Sequence, residues 1–322
     1  MISSTILLTG ATGLIGHHLV PALLEAGHRV RALHRPGSDT SYLPKNHEAL
    51  ELVQGDILDI FTLEEAMLGC NKVIHAAALI SFQAEDRHSL DQVNQEGTAN
   101  VVNLALDHQV DQLIYISSVA ALERESSIIN PTSLADTWQS KRAPTNYAAS
   151  KFAAEREIWR GQAEGLSVST VYPSVVVGSG DPRRGGTPAL FKRIKEGLST
   201  YSTGHSAFIA VSDVVDACLH LLSTRESKRI LCQGHNMSWK AFLSLAAKKL
   251  KVNPPTRKVA SWQSALAWPI AGLWSKISGQ KPFLTRDRHR LAHAHYTYVG
   301  DSFEKALGKP FKPIGKAIEE AI

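Results

Sequence analysis

The first thirty residues place a strand, a glycine-rich turn and a helix in immediate succession. The apolar run Thr5 to Thr9 is followed by GATGLIG and then by a helical pattern that ends at Gly27. The turn glycines Gly10, Gly13 and Gly16 have the spacing GxxGxxG. Glycine permits a tight turn, lets backbone N–H groups approach a pyrophosphate and allows a helix to pack closely. This order predicts a dinucleotide phosphate site at a helix N-terminus, with a plain structural turn as the alternative.

Strand-like and helical patterns then alternate along the chain. Further strands are predicted at Arg29 to Leu33, Lys72 to His75, Gln112 to Ser118 and Ser167 to Tyr172, with helical patterns between them. This alternation predicts an α/β fold with a doubly wound parallel sheet, whose ligands bind beyond the carboxyl ends of the strands. The 322 residues, of which 43 % are hydrophobic, suffice for such a domain and a smaller appendage.

The chain divides near Pro173, which ends a strand because it cannot donate a ladder hydrogen bond. The Gly-, Pro- and Arg-rich stretch that follows is typical of a loop between two regions. We predict a dinucleotide-binding domain at 1–173, to which 208–232 returns, and a smaller, discontinuous C-terminal substrate-binding region at 174–207 and 233–322.

The end of the second strand indicates which dinucleotide is bound. The adenosine ribose lies there in folds of this kind, and an acidic residue would bond its 2′-hydroxyl. The residues present are His34 and Arg35, which match a 2′-phosphate better. NADP(H) is therefore favoured over NAD(H). A surface arginine without a ligand is the alternative reading of Arg35.

The stretch YAASK contains a candidate acid/base pair. Tyr147 and Lys151 are four residues apart at the start of a predicted helix, Asn146 to about Gln162, so they share one helix face. A phenol with a pKa near 10 exchanges protons poorly at neutral pH. An ammonium ~4 Å away, at an effective dielectric constant of ~20, would lower this pKa by roughly three units. The alternative is a packed tyrosine and a solvated lysine.

Small residues follow two other predicted strands. Ser118, at the end of one strand, would face the nicotinamide end of a dinucleotide, although a serine there is also a common helix cap or turn residue. Ala76, Ala77 and Ala78 leave room for a flat ligand to lie against the backbone, although tight core packing would also explain them.

The composition and the N-terminal residues indicate which cellular compartment and which kinds of partner to expect. Cys70, Cys218 and Cys232 are scattered and lack CxxC spacing, so neither a disulfide framework nor a metal site is indicated. The N-terminus has no secretory signal, and we expect a cytoplasmic protein. The net charge of +5 is spread over clusters without aromatic interleaving, so solvated helix faces are expected and nucleic acid is not.

The stretch Ser261 to Gly279 is apolar and contains three of the six tryptophans. It is too short, and too broken by Pro269, to be predicted as a transmembrane segment. We favour a lid over the substrate pocket, with a buried helix or peripheral membrane contact as alternatives.

Seven motifs occur in an order and spacing that resemble the extended short-chain dehydrogenase/reductase family. They are TGATGLIG at Thr9–Gly16, GDILD around Asp56, VIHAAA at Val73–Ala78, VNQEGT at Val93–Thr98, YISSVAAL at Tyr115–Leu122, YAASK, and YPSVVVG. Within this NAD-dependent epimerase/dehydratase family the chain is most similar to the branch of dihydroflavonol reductases and 3β-hydroxysteroid dehydrogenases. The late stretch TYVGDSFEKALGKPFKP resembles the C-terminal signature of that branch.

The resemblance implies a Rossmann fold and a role for each matching residue. Tyr147 would be the acid/base, Lys151 would lower its pKa and hold the nicotinamide ribose, Ser118 would hydrogen-bond the reacting oxygen, and Asn94 would help through a water relay. The cofactor would lie along Gly10, Thr12, Gly13, Leu14, Ile15, Gly16, Arg35, Asp56, Ile57, Ala76, Ala77, Ala78, Tyr147, Lys151, Pro173, Ser174 and Val176. The expected chemistry is hydride transfer, with Tyr147 exchanging the proton.

Two departures from the family pattern make dehydration and epimerisation of nucleotide sugars less favoured than reduction. Val119 and Ala120 follow Ser118, where nucleotide-sugar dehydratases carry an acidic pair, and the RYFN-type element of sugar epimerases is replaced by Val171–Ser174. The main prediction is an NADP(H)-dependent reductase or dehydrogenase of a small hydrophobic ketone or secondary alcohol, acting as a monomer or homodimer. The alternatives are a nucleotide-sugar epimerase with tightly bound NAD(P) and a non-catalytic NADPH-binding protein.

Overall fold

Fourteen strands and twelve α-helices make up the described chain. The computed structural model describes residues 4–122, 128–129, 144–224, 227–279, 281–282 and 284–322. The strands are β1 (Thr5–Thr9), β2 (Arg29–His34), β3 (Leu50–Gln54), β4 (Lys72–His75), β5 (Gln112–Ile116), β6 (Ile128–Ile129), β7 (Val168–Pro173), β8 (Val175–Val177), β9 (Thr200–Ser202), β10 (His205–Ala210), β11 (Arg229–Cys232), β12 (His235–Ser238), β13 (Arg257–Val259) and β14 (Thr297–Tyr298).

The helices follow the strands in the predicted alternation over the first half of the chain. They are α1 (Gly16–Glu25), α2 (Ile60–Met67), α3 (Arg87–Leu90), α4 (Gly97–Asp107), α5 (Asn146–Ala163), α6 (Gly186–Lys195), α7 (Val211–Ser223), α8 (Trp239–Leu250), α9 (Ser261–Ser278), α10 (Arg286–His293), α11 (Ser302–Leu307) and α12 (Ile314–Ala321). A π-helix, Asp91–Glu96, joins α3 to α4, and 3-10 turns lie at Val119–Ala121 and Pro182–Arg184.

Seven strands form one parallel sheet with helices on both faces. Their spatial order is β11-β7-β5-β4-β1-β2-β3, so the order reverses between β1 and β4. Alternate residues of β1 point to opposite cores: Ile6 and Leu8 pack with α1 and α7, whereas Leu7 packs with α2, α4 and α5. The prediction of a doubly wound parallel sheet is confirmed. In such sheets a ligand crevice forms where the strand order reverses.

A second, three-stranded sheet carries the later part of the chain. It has the order β12-β10-β8, and its core is shared with α6, α8 and α12. Within the segment 208–232, which was predicted to return to the first domain, the part of β10 around Phe208 pairs in this small sheet, whereas Arg229–Cys232 joins the main sheet beside β7. Only part of the segment 208–232 thus contributes a strand to the main sheet. The division into two binding regions stays a prediction.

Helix α9 differs from what its sequence indicated. Pro269 lies inside α9 without ending it, so the stretch is one continuous helix of 18 residues. Most of its large apolar side chains are exposed, with Trp268 partly buried, so the buried-helix alternative is wrong. None of the helices in the described part of the chain combines the length and the apolar character needed to cross a bilayer.

Candidate functional site

The glycine turn joins β1 to α1 in a conformation that only glycine accommodates well. Gly10 has φ +73°, and a Cβ there would lie 2.6 Å from backbone atoms of Ala76 and Ala77. A Cβ on Gly16 would lie 2.1 Å from the carbonyl oxygen of Gly10, and the N–H of Gly13 donates to that oxygen at 2.9 Å. The turn is thus closed on itself and pressed against the end of β4.

A chain of buried hydrogen bonds fixes the ends of β1 and β4. His75 Nδ1 lies 2.7 Å from Thr9 Oγ1, and its Nε2 lies 3.0 Å from Thr98 Oγ1. Thr98 donates its own proton to the carbonyl oxygen of Asn94, so it must accept from His75 Nε2–H, and Thr9 must donate to Nδ1. Burial lowers the pKa of His75 to about 3. The imidazole is therefore neutral and serves as a structural link.

Asn94 lies in the π-helix and is almost fully buried. Its amide donates to the carbonyl oxygen of Leu79 at 3.0 Å and to Ser150 Oγ at 2.8 Å, and its Oδ1 accepts from Leu79 N–H at 2.7 Å. Both amide protons are thus used: one holds the π-helix against the loop after β4, and the other holds it against α5. The relay role of Asn94 stays a prediction, and a water would have to use the second lone pair of Oδ1.

Tyr147, Lys151 and Ser118 lie on elements that meet at the carboxyl edge of the sheet. Thr145 caps α5 by accepting from Ala148 N–H, so Tyr147 falls in the first turn. Ser118 begins the 3-10 turn that packs against α5, and its Oγ accepts from Ala120 N–H at 3.1 Å. Tyr147 is 9 % exposed and meets the ring of Phe82 edge-on.

The ammonium group of Lys151 is bound to the carboxyl end of β5 in the main sheet. Its Nζ donates to the carbonyl oxygen of Ile116, the last residue of β5, at 3.0 Å, and lies 4.3 Å from the centroid of the Tyr115 ring. Burial lowers the pKa of Lys151 to about 7, while the charge of Glu155 opposes this change. The alternative of a solvated lysine is therefore wrong, because this side chain is 1 % exposed.

Glu155 continues the same helix face and was missed in the sequence. It is 1 % exposed, and Ser117 and Tyr172 both donate hydrogen bonds to its carboxylate. Burial raises the pKa of Glu155 to about 7, against the hydrogen bond from Ser117 and the positive charge of Lys151. Tyr147, Lys151 and Glu155 repeat at four residues, and this spacing was the signal that could have identified it.

The residues predicted beside adenine lie after β3. Asp56 Oδ1 accepts from Leu58 N–H at 3.0 Å. Ile57 is buried against Gly97, where a Cβ would lie 2.5 Å from its Cδ1. Arg35 is exposed just beyond β2. The geometry thus places Arg35 and Asp56 after adjacent strands.

A second arginine reaches the glycine turn and was also missed. Arg184 donates from Nη1 to the carbonyl oxygen of Thr12 at 2.7 Å and to its Oγ1 at 3.0 Å. Its neighbour Arg183 pairs with Asp39 and Asp181. The arginine-rich loop after β8 thus closes over the turn, a contact that its sequence alone did not indicate.

The remaining predicted cofactor residues line the same edge of the sheet. Pro173 ends β7, and Ser174 Oγ donates to the carbonyl oxygen of Gln233 at 2.7 Å. Ala77 N–H donates to Thr9 Oγ1 at 3.2 Å. The partly buried members of the set are Thr12, Leu14, Ile15, Ala76, Ala77, Ser174 and Val176, whereas Ala78 is exposed. Their contact with a cofactor stays a prediction.

This fold and site define a dinucleotide-dependent enzyme of the doubly wound α/β class. The model of the NAD dependent epimerase/dehydratase family matches residues 6–232, and the chain belongs to that family. Cinnamoyl-CoA reductase 1 of Oryza sativa subsp. japonica is 27 % identical over 98 % of this chain and 88 % of its own length. Dihydroflavonol 4-reductase of Gerbera hybrida is 25 % identical over 72 % and 69 %.

A solved structure shares the whole architecture. The Bordetella bronchiseptica enzyme WbmH in complex with NAD+ superposes with a TM-score of 0.77 and 20 % identity, covering 99 % of this chain and 97 % of that chain. The two chains therefore share one fold. The resemblance to extended short-chain dehydrogenases and reductases, including the dihydroflavonol reductase branch, is confirmed, and a nicotinamide dinucleotide is the cofactor class.

Proposed function

We propose that the chain is an NADP(H)-dependent oxidoreductase that interconverts a ketone and a secondary alcohol of a small, hydrophobic substrate. The observation that supports this proposal is that α5, which carries Tyr147 and Lys151, packs against the 3-10 turn that begins at Ser118, beyond the carboxyl end of β5. The relatives named as reductases favour reduction over epimerisation. Phe82, edge-on to Tyr147, favours an apolar substrate beside the phenol.

The residues present fit a dinucleotide. Gly10 and Gly16 leave no space for a side chain, so the turn presents its backbone at the start of α1, where a pyrophosphate is favoured. The exposed Arg35 at the end of β2 would pair with a 2′-phosphate, and His34 provides no carboxylate for a ribose 2′-hydroxyl. Asp56 and Ile57 would hold adenine, and Ala76 to Ala78 would lie along the cofactor.

The chain supplies the proton chemistry. A bound nicotinamide would supply or accept the hydride. Tyr147 would donate its phenolic proton to the carbonyl oxygen as that oxygen gains charge, while Ser118 would hydrogen-bond the same oxygen. The buried ammonium of Lys151, held by Ile116, would favour the phenolate that remains. Free, buried cysteines and an NADP(H) requirement both suit a cytoplasmic enzyme.

Tyr147→Phe tests the proposal directly. A screen of ketones with NADPH should find a substrate, and the variant should lose roughly a hundredfold or more in kcat because the proton donor is gone. Its NADPH affinity should change much less than its kcat, because Phe keeps the ring and the other cofactor residues remain. Tyr42→Phe, at an exposed tyrosine outside the residues predicted to bind the cofactor or the substrate, is the matched control and should retain full activity.

Two results would contradict the proposed reaction. Isomerisation without net oxidation, with a dinucleotide that copurifies, would indicate an epimerase. NADPH binding without turnover on a wide panel, unaffected by Tyr147→Phe, would indicate a non-catalytic protein. The cofactor preference has a separate readout, because Arg35→Gln should weaken NADPH about tenfold and leave NADH unchanged.

A further inference from the structure

The outer face of α9 exposes a continuous row of large apolar side chains. Trp262, Leu266, Ile270, Leu273, Trp274 and Ile277 are each 63–73 % exposed. At 100° per residue they cover an arc of roughly 120°, and they span about 22 Å along the helix axis. An apolar row of this kind is uncommon on the surface of a protein that meets only water.

The opposite face of α9 is the one that attaches it to the protein. This inner face has small residues around one large side chain: Ser264 is buried, and Ala265, Trp268, Ala271, Gly272 and Ser275 are partly buried. Ser264 Oγ lies 2.8 Å from His289 Nδ1 and 2.7 Å from His293 Nε2, and these bonds join α9 to α10. The inner face is thus attached to α10 through Ser264, and the face with most of the large apolar side chains is directed outward.

The surroundings of α9 are strongly basic. Residues 257–290 contain seven Lys and Arg and one acidic residue, Asp287, although the whole chain has a net charge of only +5. Arg257 and Lys258 are exposed just before α9, and Lys281 and Arg286 are exposed just after it, although Lys281 forms an ion pair with Asp86 at 2.9 Å. Asp287 accepts a hydrogen bond from the N–H of Asn146, which turns this carboxylate toward the protein.

We propose that the outer face of α9 docks onto an anionic lipid bilayer, with the helix lying in the plane of the membrane surface. An apolar face with tryptophans, bordered by Lys and Arg, is the composition of interfacial helices. A second copy of this chain would oppose one basic border to another, whereas anionic headgroups complement it. The inference does not depend on the proposed reaction.

Vesicle binding tests the docking surface. The full chain should sediment with vesicles of phosphatidylcholine that contain a minority of phosphatidylglycerol, and much less with pure phosphatidylcholine or at high salt. Emission from Trp262 and Trp274 should shift to the blue and be quenched by brominated acyl chains. In the double variant Trp262→Phe and Trp274→Phe, the vesicle-dependent quenching should largely disappear while binding persists.

A triple variant and a matched control distinguish binding through this face of α9 from nonspecific adsorption of exposed apolar residues. Leu266→Gln, Ile270→Gln and Leu273→Gln together should weaken vesicle binding by at least about tenfold. Leu52→Gln, Phe61→Gln and Leu68→Gln change three exposed apolar residues elsewhere and should have no effect. Equal loss in both triple variants, or no binding by the unmodified chain, would overturn the proposal. Concentration-dependent dimerisation that only the α9 variant abolishes, without vesicle binding, would replace it with a contact between copies.

Discussion

Glu155 is the residue that most changes the account of the acid/base group. Burial lowers the pKa of Lys151 and raises the pKa of Glu155, so each charge stabilises the other where water cannot. A lysine that supports a phenolate must keep its proton. The carboxylate one turn further along α5 is therefore a positioning residue for the ammonium.

Glu155→Gln should shift the pH dependence of the reaction. Removing the carboxylate charge lowers the pKa of Lys151 further, so the fall of kcat/KM at high pH should begin roughly one pH unit lower. Tyr172→Phe removes the 3.3 Å hydrogen bond to Glu155 and keeps the charge, so its basic limb should stay in place. An equal loss of activity at every pH in Glu155→Gln would indicate a purely structural role.

His75 should make stability depend on pH. Its pKa is about 3 in the folded chain and near 6.5 when unfolded, so the unfolded chain binds more protons between these values. Stability is therefore lost as the pH falls below about 6.5. Between pH ~7.5 and ~5 the free energy of unfolding should fall by about 2 kcal/mol more than in His75→Gln. Urea unfolding at the two pH values measures this difference, and parallel pH profiles would contradict it.

At the scale of elements, the glycine turn combines two separate constraints. Gly10 has a positive φ and also touches the backbone of Ala76 and Ala77, whereas Gly27 has φ +84° with nothing within 4 Å of a Cβ. Gly27→Ala should therefore lose only about 1 kcal/mol from backbone strain and keep NADPH binding. Gly10→Ala should lose roughly 2 kcal/mol more, because the ends of β1 and β4 must separate.

Thermal unfolding and NADPH titration of the two variants distinguish these effects. Loss of NADPH affinity is expected in Gly10→Ala alone, since only that turn faces the predicted pyrophosphate. Equal stabilities for the two variants would mean that the turn yields to a methyl group without cost.

The sequence predicted the elements of the main sheet because period and turn chemistry are local properties. The bounds of β1 and β4 agree with the predicted ones, and β2 and α5 agree to within about one residue. The partner of β10 was not predictable, since a short apolar strand around Phe208 fits either sheet. The outward face of α9 was also hidden, because only tertiary contact at Ser264 decides which side of an apolar helix is attached.

The contacts of the site residues show the same limit. Tyr147 and Lys151 are close in sequence, so one helix face predicts their proximity. Arg184 and Thr12 are 172 residues apart in sequence, so no local pattern indicates their hydrogen bond. Long-range contacts of this kind depend on how the small sheet closes on the large one.

At the scale of the whole molecule, segments late in the chain hydrogen-bond to the start of α5 and to the loop after β4. Asp287 of α10 accepts from Asn146 N–H at 3.2 Å, and Gln83 Nε2 donates to the carbonyl oxygen of Pro282 at 2.8 Å. The loop after β8 is fastened to the glycine turn through Arg184. The smaller part of the molecule thus contacts both the predicted phosphate site and the first turn of the helix that carries Tyr147.

Arg184 gives this arrangement a measurable consequence. Its guanidinium lies on Thr12, so it adds positive charge beside the predicted pyrophosphate and should strengthen binding of the dinucleotide. NADPH at about a hundred times its Kd should stabilise the unmodified chain by about 2.7 kcal/mol, measured as a rise in Tm. Arg184→Gln should weaken NADPH binding about tenfold and reduce the rise in Tm at the same NADPH concentration, with little change in the Tm of the free protein.

Arg183→Gln is the matched control, because that more exposed neighbour pairs with Asp39 and Asp181 instead of the turn, and its NADPH-dependent rise in Tm should be nearly unchanged. Equal losses in the two variants would show that the general charge of the loop, and not the contact with Thr12, governs the affinity.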